Sequence, residues 1–189
     1  MAGRDIHHTT IMVASKATGK STELCRIALK YPKASKVLII DVNGSAAYNC
    51  IKEIQLKDLK YLTNGRVKIV GTPDEETLEF IAKTFRNGLV IFEDCTKYIN
   101  SNLSKGVKTF LTDHRMMGCD LIFTFHSIRR IPRQFWEMTS YVIIGKTHEV
   151  FEDGANKNRI PNYENVLKAW KNVMANPSPY YKETVETFV

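Results

Sequence analysis

The stretch Thr9-Thr10-Ile11-Met12-Val13-Ala14-Ser15-Lys16-Ala17-Thr18-Gly19-Lys20-Ser21-Thr22 decides how this chain reads. Residues 9–14 are a short β-rich apolar run and residues 20–31 carry a helical pattern, so a tight loop must join strand to helix. Such a loop aims successive backbone N–H groups inward and makes a nest for phosphate oxygens. The helix opening near Lys20 adds the partial positive charge of its N-terminus. Gly19 keeps side-chain bulk away from approaching phosphates.

Residues 14–21 resemble the Walker A pattern GxxxxGK[ST] of P-loop NTPases, with alanine in place of the first glycine. A bare GKS triplet is weak evidence; the order of strand, loop and helix around it makes the match specific. The resemblance implies ATP and Mg²⁺ held by Ala14, Ser15, Lys16, Ala17, Thr18, Gly19, Lys20, Ser21 and Thr22. Within that loop Lys20 is the expected catalytic cation and Ser21 a metal ligand.

Further apolar runs at 37–42, 66–70, 88–93, 120–125 and 140–145 are near-continuous rather than alternating, as expected for strands covered by helices on both faces. Helices are expected at about 45–53, 74–86, about 101–117 and 162–175. Thr72-Pro73-Asp74 followed by Glu75 and Glu76 is a helix start with acids in its first turn. Alternating strands and helices imply an α/β fold, three layers around a mainly parallel central sheet. Residues 1–150 read as the core and 151–189 as a C-terminal helical tail, either part of the same domain or ordered by a partner.

The run Leu89-Val90-Ile91-Phe92 ends in Glu93-Asp94. It resembles a Walker B strand followed by the extra acid of the ASCE division, which implies a RecA-like sheet. On that resemblance Glu93 holds Mg²⁺ and Asp94 polarises the attacking water, an order reversed from the usual one. Asp41 reads as a cap for the helix after it, or as a second acidic candidate. Downstream, Thr112-Asp113-His114-Arg115-Met116-Met117-Gly118 precedes an apolar strand with His126 at its tip.

That block is similar to the HerA/FtsK superfamily, in particular to viral genome-packaging ATPases and less closely to Zot-like phage ATPases, over residues 9–147. The resemblance implies that His126 senses the γ-phosphate where relatives usually have glutamine. It also implies that Arg115 reaches a neighbour's nucleotide as an arginine finger; the alternative is a helix-end charge complementing the macrodipole. Arg129, Arg130 and Arg133 form a basic cluster suited to the same trans role or to a DNA backbone.

The 189 residues fit one domain, and the 43% apolar and 25% charged shares exclude a disordered chain. No stretch approaches the ~20 apolar residues of a membrane span. The first ten residues lack the apolar core of a secretory signal, so the cytoplasm is expected, with virion association for a viral protein. Cys25, Cys50, Cys95 and Cys119 stand far apart in the sequence, which favours reduced thiols over a zinc site or disulfides. A net charge of +7 favours a polyanionic partner.

The expected function is an ATP-hydrolysing motor that translocates double-stranded DNA as a homo-oligomeric ring, at a viral portal or capsid vertex. Two other classes remain. A nucleotide-dependent switch or adaptor with weak hydrolysis would suit Ala14, Ala17, the acid order and His126, and a small-molecule kinase also uses GK[ST].

Overall fold

The six apolar runs all become strands, for a reason visible in their side chains. In β1 (Thr9–Val13), Ile11 and Val13 enter one apolar cluster and Met12 the other. The same alternation sorts Leu38 and Ile40 from Val37 and Ile39 in β2 (Lys36–Asp41). In these two strands both faces are buried, so no polar side is needed. The structure, a computed structural model, describes residues 7–100, 102–151 and 154–187. Residues 1–6, most of the N-terminal stretch read for a secretory signal, and Ser101, where the fourth expected helix begins, lie outside the described residues.

The remaining strands are β3 (Lys52–Glu53), β4 (Gly65–Val70), β5 (Gly88–Phe92), β6 (Cys119–Phe125), β7 (Tyr141–Ile144) and β8 (Glu183–Glu186). They form one sheet in the order β3-β4-β2-β5-β6-β1-β7-β8. Its pairs are parallel apart from β7 with β8. Because β6 is inserted between β1 and β5, three strand ends distant in sequence emerge side by side.

Helix α1 (Lys20–Lys30) covers one face with Leu24, Cys25 and Ala28. The other face carries α2 (Glu75–Thr84), α3 (Lys105–Asp113), α4 (Arg133–Met138) and, after the short α5 (Gly154–Lys157), α6 (Tyr163–Ala175). Asp74 caps α2 by accepting from Thr77 N at 2.8 Å, with Glu75 and Glu76 in the first turn. The closeness of α2 and α3 depends on Gly106, where a Cβ would stand 2.8 Å from the Leu78 side chain. A ring ladder links the layers: Phe92 stacks on Phe123 at 4.4 Å, and Phe123 meets Phe135 edge-on at 4.8 Å.

Three expectations are corrected. Residues 45–53 are no α-helix: a 3₁₀ turn at Ala46–Tyr48 leads into β3, and a second 3₁₀ segment spans Leu56–Tyr61. The helix expected to about 117 stops at Asp113, because His114–Gly118 turn back with Gly118 at φ 66°. Past residue 150 a strand does occur: β8 pairs antiparallel with β7, and Val166, Ala169 and Val173 of α6 join the core. Cys25 and Cys50, remote in sequence, bring their sulfurs within 3.7 Å as free thiols. Among the described residues no helix is long and apolar enough to cross a membrane.

Candidate active site

The loop after β1 is pinned from both sides. Ala14 N donates to Phe125 O at 3.2 Å, and Ser15 N to Lys146 O at 2.7 Å. Ala17 at φ 61° and Gly19 at φ 72° supply the left-handed backbone that turns the chain into α1. Thr18 Oγ closes the turn onto Ser15 O at 2.8 Å. Ala14 fits where the pattern has glycine because it faces Gly145: a Cβ there would sit 2.7 Å from the Ala14 methyl. The Ala14 methyl thus occupies space that a side chain at position 145 would need.

Lys20 Nζ donates to Ala14 O at 2.6 Å, to Ser15 O at 2.7 Å and to His126 Nδ1 at 3.0 Å. Burial lowers its pKa to about 8, while the charges of Asp94 and Glu93 pull the other way. Ser21 Oγ donates to Glu93 Oε1, which also accepts from Tyr48 OH at 3.1 Å. Glu93 Oε2 is buried without a hydrogen-bond partner. Burial holds this carboxyl above the ordinary range, against the hydrogen bonds from Ser21 and Tyr48.

A hydroxyl beside a carboxylate with one free buried oxygen fits Mg²⁺, which takes few protein ligands and fills its shell with water and phosphate oxygens. Among the described residues no cluster of three or more His, Cys, Asp or Glu could hold a metal by itself.

Asp94 follows in left-handed backbone, φ 47°, with its N–H donating to Thr124 Oγ at 2.8 Å. Its Oδ1 accepts from His126 Nε2 and from Thr96 Oγ, both at 2.9 Å. Its Oδ2 accepts from Asn43 Nδ2 at 3.2 Å and faces Lys97 Nζ at 3.5 Å. Burial works to raise the Asp94 pKa, but the hydrogen bonds from Asn43 and Thr96 and the charges of His126 and Lys97 outweigh it, so the carboxyl titrates low. For His126, burial and then the Lys20 charge lower the pKa, which favours the neutral ring. Its Nε2–H therefore donates to Asp94, and Nδ1 accepts from Lys20.

These groups share one open cavity of about 550 Å³. Lys16, Ala17, Gly19, Lys20, Ser21 and Thr22 line it from the loop, facing Glu93, Asp94 and His126. Ala14, Ser15 and Thr18 hold the turn through the bonds above and are not among its lining residues. Asp41 is fully buried: it accepts from Ser45 N at 3.0 and 2.9 Å, capping the turn after β2, and its Oδ2 faces Lys68 Nζ at 3.9 Å.

Arg115 is not brought in: it is exposed on the turn before β6, at the opposite end of that strand from His126. Arg129 contacts Val150 O at 3.4 Å and Arg133 pairs with Glu137 at 2.9 Å, while Arg130 borders a small cavity with Thr96. Reading by motif missed Asn43, Tyr48, Lys97 and Thr124, which touch the acid pair, and Lys182, whose Nζ reaches Thr18 O at 3.0 Å. Their only sequence signal was nearness to a strand end or to a motif residue, and Lys182 lacked even that.

No protein-family model matches the chain, and no curated protein matches it. Solved structures do match. The genome packaging NTPase B204 of Sulfolobus turreted icosahedral virus 2, in complex with AMP, superposes with a TM-score of 0.72 at 15% identity, covering 96% of this chain and 93% of that one. The same protein with ATP-gammaS gives 0.68 at 15% identity, covering 96% and 92%. The cytoplasmic domain of the Type VII secretion ATPase EccC of Thermomonospora curvata gives 0.60 at 12% identity, covering 94% of this chain and 24% of that one. The chain has the α/β fold of these P-loop NTPases, with a mostly parallel eight-stranded sheet.

Proposed function

We propose that this chain is a Mg²⁺-dependent ATPase that drives double-stranded DNA in viral genome packaging, acting as a homo-oligomeric ring. One observation carries the catalytic part: Lys20, the Ser21–Glu93 pair and the Asp94–His126 pair, from three separate strand ends, face one cavity. The loop N–H groups and Lys20 bind the phosphates, and Ser21 with Glu93 holds Mg²⁺, which supplies charge neutralisation when bound. Asp94 orients and polarises water. His126 reports the phosphate end, since its Nδ1 shares Lys20 with whatever anion Lys20 meets. The cytoplasm, or a virion vertex within it, is the matching location.

The packaging part is supported by the fold shared with B204 along nearly the whole of both chains and by the net charge of +7. A switch with slow turnover is the second reading, favoured by the four groups that already engage the Asp94 carboxylate. The test is steady-state ATP hydrolysis with and without double-stranded DNA. A motor is stimulated by DNA; turnover that stays low and indifferent to DNA selects the switch.

A further inference from the structure

The strap between α6 and β8 lies against the phosphate loop. Lys182 Nζ donates to Thr18 O and to Tyr180 O, both at 3.0 Å. The Tyr180 ring covers Gly19, with its Cδ1 3.1 Å from where a Gly19 Cβ would stand. The strap holds its own shape: Ser178 N donates to Asn176 Oδ1 at 2.9 Å and Tyr180 N to Ser178 Oγ at 3.2 Å, with Pro177 and Pro179 fixing two φ angles. It is then tied into the sheet by β8. A contact across 164 positions of chain is set by topology and has no local cause.

The consequence lies in the Thr18–Gly19 peptide. In a trans peptide the C=O and the following N–H point in opposite directions. An ammonium that holds Thr18 O on the strap side turns the Gly19 N–H away from the strap. Gly19 itself lines the cavity with Lys20 and Ser21, whereas neither Tyr180 nor Lys182 does. Ala17 and Gly19 are both left-handed, and Lys182 holds the peptide between Thr18 and Gly19 in one sense.

Resting on the nucleotide reading above, we propose that Lys182 is a positioning residue of the phosphate site: it clamps the Thr18–Gly19 peptide from outside so that the Gly19 N–H faces the phosphates. The ligand class is the phosphate chain itself, independent of base and sugar. The clamp acts within one chain.

The experiment is calorimetric binding of Mg²⁺–ATP-gammaS and of Mg²⁺–inorganic triphosphate to the full chain, its Lys182→Met and its Lys182→Arg variants. Losing a hydrogen bond with a charged donor should weaken both ligands by the same factor, about tenfold, in Lys182→Met, and Lys182→Arg should recover most of it. The loss should persist in about 0.5 M salt, where through-space attraction is screened within a few ångströms. Unchanged affinities overturn the clamp and leave the nucleotide reading standing. Weakening of ATP-gammaS alone overturns it by moving the strap to the nucleoside side, and a loss that salt abolishes replaces it with simple charge attraction. A wild-type chain that binds neither ligand overturns the clamp and the nucleotide reading together.

Discussion

His126 Nε2 lies 2.9 Å from Asp94 Oδ1. The other ring nitrogen is 3.0 Å from Lys20 Nζ, so one neutral imidazole joins the loop cation to the second acid. As pH falls, Nδ1 takes a proton, loses the Lys20 hydrogen bond and sets a cation beside a cation. The folded pKa is lowered from the ordinary 6.5. The associated stability is therefore present above that value and lost as pH falls through the folded pKa. Hydrolysis should show an acid limb in that region, and His126→Gln should change the shape and position of this limb, leaving the part set by Glu93, while keeping measurable turnover. An unchanged pH–rate profile in the variant would detach His126 from the chemistry.

Lys20 sets the alkaline side. With burial lowering its pKa to about 8, the ammonium that binds phosphate is lost as pH rises through that value. Triphosphate affinity of the free protein should fall accordingly. The unfolded amine titrates near 10.5, so the unfolded chain binds more protons between the two values and ligand-free stability should rise across that window. Lys20→Ala should abolish both trends, greatly weaken binding and stop hydrolysis. Near-wild-type activity in that variant would remove the P-loop reading.

How much of this was legible follows from where each signal sits. Glu93, Asp94 and His126 stand just past strand ends, and Lys20 and Ser21 open the helix after the β1 loop; a parallel strand fully buried on both faces announces itself as a continuous apolar run. The segment 45–53 misled because Tyr48 and Ile51, three apart and both buried against the α1 face, imitate a helical stripe. Strand β8 was invisible because Glu183-Thr184-Val185-Glu186 is polar and lies at the sheet edge, where only alternate residues are half-buried. Tyr48 reaches Glu93 across 45 positions, a distance that only the strand order explains.

The two acids should separate by function. Glu93, bonded to Ser21 with one oxygen free, is placed for metal, whereas Asp94 is surrounded by donors and kept ionised. Glu93→Gln should impair Mg²⁺-dependent binding and turnover together. Asp94→Asn should bind ATP and lose about 10²–10⁴-fold in rate. Tyr48→Phe, which removes a donor to Glu93, should shift the Mg²⁺ concentration needed for half-maximal activity. Normal hydrolysis in Asp94→Asn would pass the base to Glu93.

DNA binding should depend on backbone charge rather than on sequence. Neutralising six or more phosphates would cost on the order of 10³-fold in affinity between about 50 and 200 mM salt. Fluorescence anisotropy with two unrelated duplexes checks both points. A salt-insensitive affinity, or strong preference for one duplex, would count against a translocating motor.

Arg115 tests assembly as well as chemistry. It sits on the turn before β6, and His126 follows the far end of that strand. Seven residues of parallel strand span roughly 20 Å, so Arg115 cannot reach the cavity of its own chain. If it acts, it acts on a neighbour. The cavity is not without local cations, since Lys16 and Lys97 line it, and Lys97 is held by Asn43 and Asp94. A trans arginine must therefore add to a site that already carries positive charge, and such fingers are worth ~10³–10⁵ in rate. Arg115→Ala should bind ATP normally, form the wild-type oligomer and hydrolyse very slowly. Mixing it with Asp94→Asn should restore activity, because one chain keeps the finger and its neighbour the intact site. Wild-type hydrolysis independent of protein concentration, with no recovery on mixing, would leave Arg115 a solvated charge on a turn. Arg130, beside Thr96 at the cavity end of the sheet, would then be the next residue to substitute, and a null result there would remove the ring from the mechanism.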